Sequence, residues 1–277
     1  MMDVLFKSFS LLPFEWAQYS FMTHALVAIL LMTPLFAILG CLVIGSRMAF
    51  FADAIGHATL TGIAVGALAG FADPLWVMIA FALVLAVTIS SLKRITPHST
   101  DTIIALTMSS SVALGVVLLS HAGGISRYSK YLVGDILSIT PEEIVRLAVL
   151  LGVTGVVWLI YFNRILLLSF NSCLAKSRAI NTWFTETLFA CLVAVVVSSS
   201  ISWVGLLVIS SLLIFPAAIS RNVARNAFQY VVLAISVSFF TGIVGLIGSY
   251  YLDTATGATI VLVATGLFIL SLFFQRA

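Results

Sequence analysis

The chain has 277 residues, of which 62% are apolar and 8% charged, and a formal net charge of +3. Soluble domains carry about 25% charged residues, so this composition excludes an ordinary soluble domain and points to an integral membrane protein. The basic residues are scattered rather than gathered in a stripe, which excludes nucleic acid as a partner.

At the N-terminus, Asp3 and Glu15 flank a weak apolar run. No basic stretch precedes that run and no small-residue cleavage site follows it, so it does not read as a cleaved signal. A helix needs about 20 apolar residues to cross the hydrocarbon core. On that criterion the sequence predicts an all-α, polytopic membrane helical bundle of about nine spans, with eight as the alternative count. The spans fall near residues 22–44, 52–70, 74–92, 102–121, 143–162, 183–199, 202–220, 228–249 and 256–274. No Pro/Gly/Ser-rich linker and no repeat divides the chain, so residues 1–277 read as a single transmembrane domain.

Span one is interrupted by Pro34, which removes a donor from the helix ladder. Span two begins with Asp53-Ala-Ile-Gly-His57, a carboxylate and an imidazole four residues apart. That spacing places both side chains on one helix face, able to hold one divalent cation together. The plainer reading is an Asp capping the helix start and a buried, hydrogen-bonded His. Thr61 continues the row. Ala58, Gly62, Gly66 and Gly70 form a small-residue stripe for close helix packing.

Span four contains Ser109–Ser111, and His24, His98 and His121 lie at span ends or in a loop. The segment Tyr131–Glu143 predicts a short outer helix, then a turn with Thr140 capping span five and Pro141 in its first position. Residues 163–182 form the longest inner loop, carrying Arg164, Lys176 and Arg178. It reads as a lipid-anchoring basic loop or as a docking element for a cytoplasmic partner. Glu186 lies near the start of span six. Ser198–Ser200 fall between spans six and seven, and Ser210, Ser211 and Pro216 lie in span seven. These polar groups serve interhelical hydrogen bonds or line a pathway. Cys41, Cys173 and Cys191 are far apart, form no C-x-x-C, and Cys41 and Cys191 read as buried apolar thiols.

With the N-terminus outside and the C-terminus inside, Arg47, Lys93, Arg94, Arg164, Lys176, Arg178, Arg221, Arg225 and Arg276 fall inside. Only Lys7, Arg127, Lys130 and Arg146 then fall outside, which satisfies the positive-inside rule. Neither H-E-x-x-H nor G-x-x-x-x-G-K-[ST] occurs, so any ATP driving transport is bound by another chain.

The run Ser46-Arg-Met-Ala-Phe-Phe-Ala-Asp53-Ala-Ile-Gly-His57-Ala-Thr-Leu-Thr-Gly62 resembles the signature of the zinc/manganese/iron ABC-importer permease family. Asp101-Thr-Ile-Ile, Tyr131-Leu-Val-Gly-Asp135, Thr140-Pro-Glu-Glu, Val204–Ala218 and Tyr251–Ala258 resemble its other blocks, in the same order. Ala52 and Gly56 depart from the usual residues beside the pair, and Ala179, Ser172 and Cys173 depart in the inner loop. The resemblance implies the membrane subunit of an ATP-driven importer in a bacterial plasma (inner) membrane. It implies a homodimer of permeases, cytoplasmic ATP-binding subunits and an extracytoplasmic metal-binding protein. Asp53 and His57 are implied as metal contacts; Thr61, Ser210, Ser211 and Pro216 stay lesser candidates for the pathway lining on their own chemistry, apart from the resemblance. Lys176, Arg178 and Ala179 fall in the implied coupling element against the ATPase. No permanently bound cofactor is expected; Zn2+, Mn2+ or Fe2+ would be cargo. The competing readings are an ion-gradient-driven carrier or channel and a permease for a metal chelate such as cobalamin or a siderophore.

Overall fold

The computed structural model describes residues 15–71, 74–121, 135–170, 177–178 and 181–274. Among these, nine α-helices follow one another: α1 Ser20–Gly45, α2 Phe51–Leu68, α3 Leu75–Ile95, α4 Thr100–His121, α5 Pro141–Phe170, α6 Thr182–Val204, α7 Leu206–Val223, α8 Ala227–Leu252 and α9 Thr256–Leu272. Eight are long and apolar enough to cross a membrane, and α9 is a shorter apolar helix. The expected all-α membrane bundle is therefore present.

Contacts divide the chain into two compact units. The first comprises Met1–Cys41, Asp135–Gly155 and Trp203–Ala277. In it α7, α8 and α9 pack pairwise, with Gly245 in the α8–α9 contact and Gly257 in the α7–α9 contact. A Cβ on Gly245 would lie 2.7 Å from the Ile260 Cα, and one on Gly40 would strike the Leu213 carbonyl. Asn222 Nδ2 donates to Ser271 Oγ at 2.9 Å, tying α7 to α9. A three-residue turn joins α8 to α9. Asp253 there is left-handed at φ 53°, and the Ser249 and Thr256 hydroxyls meet at 3.0 Å.

The second unit comprises Leu42–Gly134 and Val156–Ser202. Within it α2 packs against both α3 and α4. The turn into α2 is closed by Met48 N–H donating to the Val43 carbonyl and Arg47 N–H to Ile44, with Arg47 at φ 56°. Two such backbone bonds around a left-handed residue are a Schellman closure. The same closure ends α2: Phe71 N–H donates to Gly66 and Gly70 N–H to Ala67, with Gly70 at φ 78°. Gly70 is thus a helix terminator with open space where its Cβ would be, whereas Gly62 and Gly66 meet α3 and its N-terminal Pro74. The predicted four-member stripe is three members of packing and one of chain reversal.

Other boundaries moved for identifiable reasons. Helix α5 continues to Phe170, so the first residues of the predicted 163–182 loop are helical. Residues 171–176 and 179–180 lie outside the described ones. Thr140 caps α5 as expected, its backbone N–H donating to Glu143 Oε2 at 2.8 Å in a capping box. The predicted outer helix is found as a 3-10 turn, Ile136–Ser138, capped by Asp135; residues 131–134 lie outside the described ones. Ser198–Ser200 lie inside α6, which runs to Val204.

Gly205 alone separates α6 from α7, at φ 85° and ψ 153°. That region is open essentially to glycine only, and other residues pay about 1–3 kcal/mol to enter it. Gly205→Ala is therefore expected to lower the apparent melting temperature in detergent by several degrees. An unchanged melting curve would show that the linker relaxes to another conformation.

Candidate functional site

Helix α2 is the most enclosed of the eight long spans, with 72% of its window buried, against 17–67% for the others. Its enclosure has two visible causes inside the second unit. Gly62 brings α3 so close that a Cβ would lie 2.7 Å from the Met78 Cα. On another side, Gly115 of α4 admits Thr61, whose Oγ1 would lie 2.6 Å from a Cβ there. The Thr61 hydroxyl donates to the Ser111 carbonyl, and Ser111 Oγ donates back to Thr61 Oγ1 at 3.3 Å.

One row of α2 escapes this packing. Asp53, His57, Leu60 and Ala67 are half-buried, while their neighbours along the first four turns are buried. At 100° per residue, Gly62 lies about 180° around the helix from Asp53. The pair therefore points away from the α3 seam, and Thr61 sits between the two faces. Asp53 is the third residue of α2, in a first turn whose N-cap, Phe50, offers no capping side chain. A carboxylate in that turn is favoured by the helix dipole.

Among the described residues no group of three His, Cys, Asp or Glu side chains is placed to hold a metal. His24 is half-buried in the second turn of α1, and His98 is exposed between α3 and α4. Cys41 is buried in α1 and Cys191 half-buried in α6; both are free thiols, and Cys173 lies outside the described residues.

The remaining candidates are dispersed. Ser210 is half-buried on α7, Ser211 is buried and donates to its own helix at the Val208 carbonyl, and Pro216 is buried. All three belong to the first unit, whereas Asp53, His57 and Thr61 belong to the second. Arg178 is exposed; Lys176 and Ala179 lie outside the described residues. The sequence reading missed one pair: Lys93 Nζ, at the end of α3, lies 3.5 Å from Glu186 Oε1 in the first turns of α6. No local spacing announces a contact between residues so far apart in the chain.

A model of the ABC 3 transport family matches residues 18–275. The chain belongs to that family. It is a multi-pass membrane permease subunit of an ABC transporter, a transport component whose ATP hydrolysis resides on a separate chain. It is 33% identical over 259 residues to the high-affinity zinc uptake system membrane protein ZnuB of Haemophilus influenzae, covering 92% of this chain and 98% of that one. It is 29% identical to the manganese import system permease protein ScaB of Streptococcus parasanguinis, covering 92% and 91%. Among solved structures, PsaBC from Streptococcus pneumoniae in complex with Fab matches with a TM-score of 0.79 at 28% identity. That match covers 100% of this chain and 97% of that one. The motif-based family assignment is borne out, and the family brings ATP-binding subunits and a substrate-binding protein as partners. The ion-gradient carrier is set aside by the same finding.

Proposed function

We propose that this permease carries a divalent transition-metal ion, Zn2+, Mn2+ or Fe2+, inward past Asp53 and His57. The observation that carries the reading is the placement of that pair on the partly open row of the most enclosed span. Ionisable groups inside a membrane are costly and usually mark a pathway or a pair. The names of the relatives, zinc uptake in one and manganese import in another, support a metal cargo. One carboxylate and one imidazole make an incomplete shell, so two copies related by a dimer axis would supply two of each. Mixed O/N ligands accept all three metals, with intrinsic affinity favouring Zn2+ over Mn2+. A weakly holding shell suits transit, because the ion must leave again.

The N-terminus lies outside and the C-terminus inside in this proposal, following the basic residues. Segment 163–182, with Lys176, Arg178 and Ala179, meets the ATP-binding subunit. Ser210 is the pathway-lining candidate on a partly open position of its helix. Thr61, Ser211 and Pro216 serve packing more directly, so the reading rests on Asp53 and His57.

The test is reconstitution of the chain with its ATP-binding subunit and substrate-binding protein in liposomes. ATP-dependent uptake of Zn2+ or Mn2+, with mutual competition, is the expected result. Uptake of an intact metal chelate but no free ion would replace this reading with the chelate permease.

A further inference from the structure

At one end of the second unit, the last turns of α3 and the first turns of α6 enclose an open cavity of about 650 Å³. Ser90, Lys93, Arg94, Asn181, Trp183 and Glu186 line it. Glu186 offsets Lys93 through their 3.5 Å contact, and among the described residues no carboxylate pairs with the exposed Arg94. The remaining Lys93 donors and the Arg94 fork therefore present a net positive charge to anything that enters. A guanidinium suits a phosphate group because its donors form a fixed planar fork.

The rim has the opposite character. Ile95 is 78% exposed, Phe184 49% and Trp183 37%. Trp183 is itself part of the lining, and Ile95 and Phe184 each adjoin a lining residue in sequence, at the ends of two apolar spans, the level where a bilayer meets water. Only 33% of the α3 window is buried, so most of that helix is open to its surroundings up to the cavity mouth. A soluble phosphate would gain nothing from this apolar rim. An amphiphile would use both parts, its phosphate in the cavity and its chains along Ile95 and Phe184.

We infer that this cavity binds the phosphate headgroup of an anionic phospholipid, held by Arg94 and Lys93 with Trp183 at the lipid–water boundary. Each basic residue near an anionic lipid surface strengthens binding by about five-fold. The site is independent of the metal assignment.

The probe is phosphatidylglycerol, and the readout is native mass spectrometry of the detergent-solubilised complex of permease and ATP-binding subunit. The wild type is expected to retain the lipid in preference to phosphatidylcholine. Arg94→Gln and Lys93→Gln should each weaken retention about five-fold. Arg225→Gln, which removes an exposed charge at a different helix end, should leave it unchanged. Retention by the Arg94 and Lys93 variants at the wild-type level would overturn the inference. So would equal losses in the Arg225 variant, which would indicate diffuse charge attraction. Displacement of the lipid by millimolar inorganic phosphate would likewise overturn it in favour of a soluble anion. Should a single variant fail to fold, titration of phosphatidylglycerol against phosphatidylcholine on the wild type decides the question. Equal binding of the two lipids would then refute the site.

Discussion

Replacing His57 with Ala is expected to reduce ATP-dependent metal uptake at least about ten-fold while the complex with the ATP-binding subunit still assembles. Loss of even an outer-shell partner of a metal ligand costs about 10–100-fold in affinity or activity, and a direct contact costs no less. His57 lies on the half-buried row of α2, away from the seam with α3, so truncation there leaves the glycine packing untouched. Asp53→Asn keeps the side-chain shape and removes the charge, and it should lose uptake to a similar extent. Radiolabelled Zn2+ and Mn2+ uptake, measured beside co-purification of the ATP-binding subunit, separates transport from assembly. Wild-type uptake by both variants would remove the pair from the pathway.

Gly62→Leu is expected to have the largest effect on stability. A Cβ at position 62 would lie 2.7 Å from the Met78 Cα and 3.3 Å from the Val77 carbonyl oxygen. Those are backbone atoms, so the only relief is separation of α2 from α3. Overpacking of this kind costs about 1–3 kcal/mol and more when backbone must move. The apparent melting temperature and the yield of folded protein should both fall sharply. Gly152→Leu is the control, because nothing lies within 4 Å of a Cβ there. Equal behaviour of the two variants would show that the α2–α3 seam is not tight.

Much of this was legible in the sequence because membrane helices announce themselves by run length and charge. The nine α-helices among the described residues, Pro34 and Pro216 inside theirs, and the Thr140–Pro141 start of α5 all follow from local signals. The Asp53–His57 pair was legible because its spacing lies within one helix. Helix ends were harder to place. Nothing in Asn163–Phe170 stops a helix, so apolar run length alone set the end of α5 too early. Gly70 shows a subtler limit: four small residues at equal spacing look alike in sequence, yet only left-handed backbone marks the one that ends the helix. Thr61 drew attention as a polar neighbour of the pair. Its role in the α4 seam depends on Gly115 and Ser111, fifty or more residues away on another helix. The Lys93–Glu186 contact is non-local in the same sense.

The unequal lengths of α9 and α5 bear on the bilayer itself. Helix α9 has 17 residues, about 26 Å at 1.5 Å per residue, which falls short of a hydrocarbon core of about 30 Å. Helix α5 has 30 residues, about 45 Å, and overshoots it. Lipid around this protein must therefore thin beside one helix, while the other leans or projects into water. Each ångström of mismatch costs a fraction of a kcal/mol. Membrane thickness thus acts on two helices of the same chain with opposite sign, and a thicker bilayer strains α9 as it relieves α5.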